Sequence, residues 1–286
     1  VDGPQHPFVD ANLVRGSLYA TTQRLAQRTG ALGRAKRTGR HAAQVIAELA
    51  TANLPPGPCR IVVDVGCGRG TTTRTLARRL ACAGLVAVDA SPAMLATARV
   101  RLAGCTASVR LVCADFHHLP LQDASVHLVV AAFCLYHSPQ PTAALAELAR
   151  CLAPGGTAIL ATKSADSYAA LDQLLAASGL DPAATTRPSL YAAAHSANLP
   201  ALAAGPLTVT RVLHEPHRFC FADLAHTAEY LATSPKYVLP EPLRGDHQAL
   251  AAALRARLPD RPVTASSTVT YVVAHRPQHA SQGRPR

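Results

Sequence analysis

The stretch Val62-Val63-Asp64-Val65-Gly66-Cys67-Gly68-Arg69-Gly70-Thr71 constrains this 286-residue chain more than any other. Isoleucine and valine between Ile61 and Val65 suit a strand covered on both faces. Three glycines at alternate positions then end the run and allow a tight turn, against which a ligand can lie without meeting a β-carbon. A helix predicted from Thr71 to about Leu80 aims unpaired N–H groups at that ligand. The spacing also excludes. A dinucleotide fingerprint, Gly-x-Gly-x-x-Gly, needs a glycine where this chain has Thr71, so nicotinamide and flavin cofactors are disfavoured.

Later segments extend the pattern. Leu85-Val86-Ala87-Val88-Asp89 reads as a second apolar strand ending in an acid, where a carboxylate can accept from both hydroxyls of a ribose. Ser91-Pro92-Ala93-Met94-Leu95 opens a helix that ends near Arg101, and Val109 to Cys113 forms a third strand leading to Ala114-Asp115-Phe116. Leu119 to Ser125 leads into a fourth strand over Val126–Phe133, and Leu152-Ala153-Pro154-Gly155-Gly156-Thr157 reads as a helix stop and turn feeding a fifth.

In this order and spacing the segments resemble the class I S-adenosylmethionine-dependent methyltransferases. The resemblance spans about residues 40–275, with its specific motifs between 62 and 163. It implies an α/β fold: a doubly wound, mostly parallel, seven-stranded Rossmann-like sheet whose last strand is antiparallel. It also implies S-adenosyl-L-methionine as donor and S-adenosyl-L-homocysteine as product. Asp64, Gly66, Cys67, Gly68, Gly70, Asp89, Ala90, Met94, Asp115, Phe116 and Phe133 are the residues expected to hold them. In that scheme Asp89 takes the ribose, Asp115 the adenine amino group and Phe116 covers the ring, while Asp64 organises the glycine turn or reaches the donor's ammonium group. One departure is Ser125-Val126-His127-Leu128 where relatives have Ser-Phe-Asp-Leu, from which a local packing effect is expected.

Ligands of open α/β sheets bind outside the carboxyl ends of the strands, where strand order reverses. The family's order puts that crevice between strands one and four, so Phe133 to His137 should face the donor. Methyl transfer from a sulfonium needs the acceptor atom in line and close, and positioning of that kind supplies roughly 7–11 kcal/mol. A base is needed only when the acceptor is a hydroxyl or a protonated amine. His137 is the first candidate for that base, with an unperturbed pKa near neutrality and a place where many small-molecule relatives carry histidine. Tyr136-His137-Ser138-Pro139 reads equally as a structural turn, and both readings stand open. Tyr19 is a second catalytic candidate, over the methionine end of the donor or against the acceptor, with core packing on an amphipathic helix as the alternative.

Around the sheet, helices are expected at about 17–29 and 39–53, which makes residues 1–53 a helical flap before Pro55-Pro56-Gly57-Pro58. The donor-binding domain then covers 54–275, with strands near 207–213 and 267–273 and a helical insertion at about 215–262 before the last strand. Insertions of that length are usually functional, and the resemblance implies that this one, with the flap, builds a lid over the acceptor, as it often does in relatives that act on small metabolites. Tyr168, Tyr191, Tyr230 and Tyr237 fall on or near it, and residues 276–286 read as a disordered tail.

Composition excludes more than it identifies. The chain is 49% hydrophobic and 16% charged, with no apolar run near the ~18 residues a membrane span needs, so it reads as cytoplasmic, with neither signal peptide nor membrane partner. Eight scattered cysteines lack metal-ligand spacing and read as free thiols, His117-His118 reads as a solvated loop, and no metal is expected. The +11 charge is spread out, with one cluster at Arg34, Lys36, Arg37 and Arg40 after Arg24 and Arg28. No aromatic stacking platform is interleaved with it, which favours a solvated helix face over a nucleic-acid footprint. The partner expected is a small-molecule acceptor, with a homodimer left open. Three functions remain: methylation of an oxygen or nitrogen of a small metabolite, in natural-product biosynthesis; RNA modification, which charge alone favours; and a non-catalytic scaffold that keeps the fold.

Overall fold

The computed structural model describes residues 8–9, 23–54, 60–105 and 107–278. Tyr19 and the end of the expected tail lie outside the described residues.

Seven strands form one sheet in the order β3-β2-β1-β4-β5-β7-β6. They are β1 (Ile61–Val65), β2 (Gly84–Asp89), β3 (Val109–Cys113), β4 (Val126–Ala132), β5 (Leu152–Lys163), β6 (Thr208–Phe221) and β7 (Val263–His275). The first five run parallel, and β7 is antiparallel to both β5 and β6. The helices are α1 (Gln23–Ala35), α2 (Ala42–Asn53), α3 (Thr71–Arg79), α4 (Pro92–Leu102), α5 (Pro141–Cys151), α6 (Ala169–Ala177), α7 (Leu199–Ala204), α8 (Leu224–Leu231) and α9 (His247–Arg255). Among the described residues no helix is long and apolar enough to cross a membrane. The resemblance to the class I methyltransferase fold is therefore met in strand number, order and direction.

Alternation along the strands explains the two-sided covering, since successive side chains leave a strand on opposite faces. Val63, Val65, Val129 and Leu160 pack with Leu145 and Leu148 of α5, while Val62, Leu128, Val130 and Ile159 pack with Ile46 of α2 and Leu76 of α3. The apolar run that looked doubly covered is so, except that Ile61 at its start is exposed. The His127 departure has a local role: its Nδ1 accepts the Ile61 N–H at 3.2 Å and ties the start of β1 to β4.

Three expectations about the accessory parts change. The expected flap divides, because α2 lies against the sheet core whereas α1 packs with α6, α8 and α9 in a second apolar cluster. Strand six does not stop near residue 213. It pairs with β7 as far as Phe221↔Val263, so the inserted helices ride on the end of a long two-stranded arm. Strand five starts early, at Leu152, and a register shift between Val126 and Leu128 absorbs the segment that reads as a turn. Gly156 is needed there, because a β-carbon would stand 2.8 Å from Ala153 O. Arg276, at the start of the expected tail, is also held: its N–H donates to Gly156 O at 2.9 Å.

Candidate functional site

A cavity of about 380 Å³ opens at the carboxyl ends of β1, β2 and β4. That is where strand order reverses, since β1 pairs with β2 on one side and β4 on the other. Its wall carries Asp64, Gly66, Cys67, Gly68 and Asp89 from the first two strand ends. Ala90, Met94, Phe116, Phe133 and His137 complete the sequence-derived residues there. Gly70 and Asp115 are not part of the wall.

The three glycines serve different ends. All have positive φ, at 67° for Gly66, 54° for Gly68 and 75° for Gly70. A β-carbon on Gly66 would lie 2.4 Å from Cys134 Cβ, and one on Gly70 would lie 3.1 Å from Ala98 Cβ, so these two permit close packing. Only Gly68 faces open space, with nothing within 4 Å of an added β-carbon. Gly66 and Gly68 both line the cavity, and of these only Gly68 leaves open space where a β-carbon would stand.

Asp89 is fixed by the turn it faces. Gly68 N–H donates to Oδ2 at 2.8 Å and Ser91 N–H to Oδ1 at 2.9 Å. A carboxylate has about four lone-pair sites, so two remain for hydroxyl donors. Burial raises its pKa, and those two backbone donors oppose the rise. Asp64 is 1% exposed and accepts from Thr73 Oγ1 at 2.6 Å, which ties β1 to the first turn of α3. Burial pushes its pKa up to about 7, against the Thr73 bond and with help from Asp89. Cys67 and Cys134 are buried thiols whose pKa values burial drives up, which disfavours the thiolate form.

Asp115 engages histidine. Its Oδ1 accepts from His117 N–H at 2.9 Å and lies 2.7 Å from His117 Nδ1, and His117 Nε2 lies 2.8 Å from Ser138 Oγ. The pair His117-His118 is therefore not simply a solvated loop, since His117 bridges the end of β3 to the β4 exit. Ser138 is fully buried, which removes this serine-histidine-acid series from hydrolytic chemistry. Phe116, next in sequence, supplies a ring to the cavity.

The β4 exit carries stored strain. Phe133 has φ 58°, a conformation costly for a residue with a β-carbon, and its N–H donates to Ala161 O at 2.7 Å. His137 follows on a single 3-10 turn, Leu135–His137. Its Nδ1 lies 2.9 Å from Phe8 O, which can only accept, so that nitrogen carries the proton. The rings of Phe8, Tyr136 and His137 pack together, with centroids 4.6 Å apart for Phe8–His137 and 5.4 Å for Phe8–Tyr136.

Lys163 and Arg28 line the cavity without having been placed there by the sequence reading, Tyr136 lies within the 133–137 segment expected to face the donor, and Tyr191 and Tyr230, read as lid positions, also line it. Lys163 sits at the carboxyl end of β5, and the rule that ligands gather at strand ends could have found it. Arg28 was hidden in a cluster that reads as a solvated face. The cluster is in fact occupied: Arg28 Nη1 donates to Thr233 O at 2.8 Å, Arg34 pairs with Glu229, and Arg40 pairs with Glu48 and Glu215. Among the described residues no group of three or more His, Cys, Asp or Glu could hold a metal ion.

A donor nucleoside suits the residues present, on three observations: the open face of Gly68, the spare lone pairs of a positioned Asp89, and an aromatic side at Phe116. Comparison with known proteins agrees. Residues 62–156 match a family model described as a methyltransferase domain. A malonyl-[acyl-carrier protein] O-methyltransferase of Halorhodospira halophila is 44% identical over 103 residues, covering 36% of this chain and 35% of that protein. A trans-aconitate 2-methyltransferase of Acidovorax sp. is 39% identical over 118 residues, covering 41% and 42%. The match thus spans less than half the length of these curated relatives. Among solved structures, the [4+2]-cyclase SpnF superposes with a TM-score of 0.58 over 97% of this chain and 98% of its own, at 19% identity, a likeness of fold alone.

Proposed function

We propose that this chain, whose residues 62–156 match a methyltransferase domain model, transfers a methyl group from S-adenosylmethionine to an oxygen or nitrogen of a small-molecule acceptor. The observation that carries the proposal is the open Gly68 surface beside an Asp89 carboxylate held by Gly68 N–H and Ser91 N–H. When bound, S-adenosylmethionine supplies an electrophilic methyl carbon on a sulfonium.

This chain's residues bind, orient and exclude water. Asp89 accepts from ribose hydroxyls, Phe116 lies against the base, and Asp64 offers its carboxylate to the ammonium group. Phe8 and Tyr136 are both buried and roof the β4 exit. With Nδ1–H spent on Phe8 O, the basic atom of His137 is Nε2, which takes the proton of a hydroxyl or protonated amine. One curated relative is named an O-methyltransferase of malonyl-[acyl-carrier protein] and the other a methyltransferase of trans-aconitate, and this makes oxygen the atom we favour. A carboxylate has no proton to lose, so for such an acceptor His137 orients the roof and does not act as base.

Calorimetric titration with S-adenosylhomocysteine tests the donor site, followed by mass-spectrometric detection of methyl transfer. Saturable binding is expected, weakened by on the order of 1.5–3 kcal/mol in Asp89→Ala, the loss of charge-assisted hydrogen bonds. Absence of binding by the unaltered protein would refute the reading. The fold by itself does not fix methyl transfer, since a structure known as a cyclase shares it.

A further inference from the structure

The cavity is electrically divided. Its acids, Asp64 and Asp89, stand at the glycine turn where the donor reading places the nucleoside and ammonium group. Its other charged wall residues are cations: Arg69 beside the turn, and Arg28 and Lys163 toward the lid.

Lys163 Nζ donates to Tyr168 Oη at 2.8 Å and lies 4.9, 5.7 and 6.0 Å from the ring centroids of Tyr168, Tyr191 and Phe133. Aromatic faces stabilise an ammonium but accept no strong hydrogen bond from it. One of its three N–H donors is used, and no carboxylate among the described residues pairs with it. Arg28 reaches the same place from α1. Its Nη1 is committed to Thr233 O, and its charge acts on Tyr168, Tyr191 and Tyr230. Asp172, whose charge acts on the Tyr230 hydroxyl, is already taken by Lys236 at 2.5 Å and by Tyr237 Oη at 2.9 Å. Two cations therefore face one aromatic-lined side of the cavity, and no carboxylate among the described residues forms an ion pair with either. Buried or half-buried charge in that state is costly unless a ligand supplies the counterion.

We propose that Lys163 and Arg28 form the acceptor's anion subsite and hold a carboxylate of the acceptor, with Tyr191 and Tyr230 as its apolar walls. This rests on the methyltransferase reading and names the substrate class for it: a small organic acid. Two cations approaching from one side match the two coplanar oxygens of a carboxylate better than the four tetrahedral oxygens of inorganic phosphate. Arginine also offers a planar fork for that geometry.

The test titrates the S-adenosylhomocysteine-loaded protein with trans-aconitate, malonate, the neutral triamide of trans-aconitate, and inorganic phosphate. At least one of the two acids should bind saturably, the triamide should not, and phosphate should bind at least tenfold more weakly. Lys163→Met and Arg28→Met should each weaken the acid at least tenfold, and Lys163→Arg should restore most of it. The dissociation constant for S-adenosylhomocysteine should stay within threefold in every variant, which shows that the fold and the donor end survive. Equal binding of acid and triamide, unchanged acid affinity in both Met variants, or no binding of either acid would overturn the subsite. Failure of the unaltered protein to bind S-adenosylhomocysteine would fall on the donor reading instead, and the acids titrated into ligand-free protein would still report on Lys163 and Arg28.

Discussion

Gly66 and Gly68 are two residues apart in one turn, yet replacing each by alanine should give opposite signatures. At Gly66 (φ 67°) a left-handed backbone costs an L-residue roughly 1–2 kcal/mol. The added β-carbon would also stand 2.4 Å from Cys134 Cβ and 2.9 Å from its Sγ, far inside the ~3.5–4.0 Å of a carbon contact. Overpacking of this kind costs about 1–3 kcal/mol. Together these give on the order of 2–5 kcal/mol, or a fall in Tm on the order of 10 °C at roughly 2–4 °C per kcal/mol. Gly68→Ala carries only the backbone part, because its β-carbon meets nothing within 4 Å, and so should lose less than half as much. That methyl group, however, projects where the donor should lie. Scanning fluorimetry and titration with S-adenosylhomocysteine separate the two effects. Gly66→Ala should lose stability while keeping donor affinity within threefold below its Tm, and Gly68→Ala should lose at least tenfold in affinity. Adding Cys134→Ala to Gly66→Ala should recover only the thiol part, since the closer clash is with Cβ. A Gly66→Ala protein of undiminished Tm, or a Gly68→Ala protein of undiminished affinity, would refute the division of roles.

Three further outcomes are expected. Asp64 has its pKa raised from 3.8 to about 7, so the folded protein keeps a proton that the unfolded carboxyl loses. Its contribution to stability is therefore present at low pH and falls as pH rises between about 4 and 7, a decline that Asp64→Asn should flatten. A donor ammonium would pull that pKa back down, so binding near pH 6.5 should release up to one proton, measured by calorimetry in buffers of different ionisation enthalpy; equal release by Asp64→Asn would contradict this. Asp172→Ala strands Lys236, whose side chain is 14% exposed, and should cost about 3–5 kcal/mol in denaturant unfolding. A loss below about 1 kcal/mol, within the range of exposed pairs, would show the ion pair to be incidental. With a carboxylate acceptor, kcat should show no limb near the histidine pKa, and His137→Ala should raise the acceptor KM more than it lowers kcat; a profile that tracks histidine ionisation would restore the base role.

What the sequence made legible is local in origin. Asp64, the glycine turn and Asp89 lie within 26 residues, on two strands whose ends a parallel pairing must bring together, Val65↔Val88. Apolar runs and glycines encode such a site almost completely, because strand direction and the reversal between β1 and β4 leave the ends nowhere else to go. Even there, pattern alone could not tell that Gly66 and Gly70 make room for Cys134 and Ala98 while Gly68, of the three, leaves open space where a β-carbon would stand. That distinction depends on partners 28 or more residues away. The strand boundaries failed for a similar reason: Leu152 is held in β5 by pairing with Val126, and His214 to Phe221 are held in β6 by β7.

The acceptor end has the opposite character. Arg28 comes from α1, Lys163 from β5, and Tyr230 from α8 at the end of the β6–β7 arm. In the sequence Arg28 is one arginine in a basic helix and Lys163 is the last residue of an apolar strand, and neither carries a motif. They meet because α1 packs on α8: Ala31 O accepts from His226 Nε2 at 2.9 Å, and Arg34 pairs with Glu229. Ala31 lies three residues after Arg28, a neighbouring position on the same helix face, so the packing of α1 on α8 also turns Arg28 inward. Lid seating and anion recognition are then one structural event. Weakening the α1–α8 contact, as Glu229→Ala would, should therefore lower acid affinity while leaving the donor end unaffected.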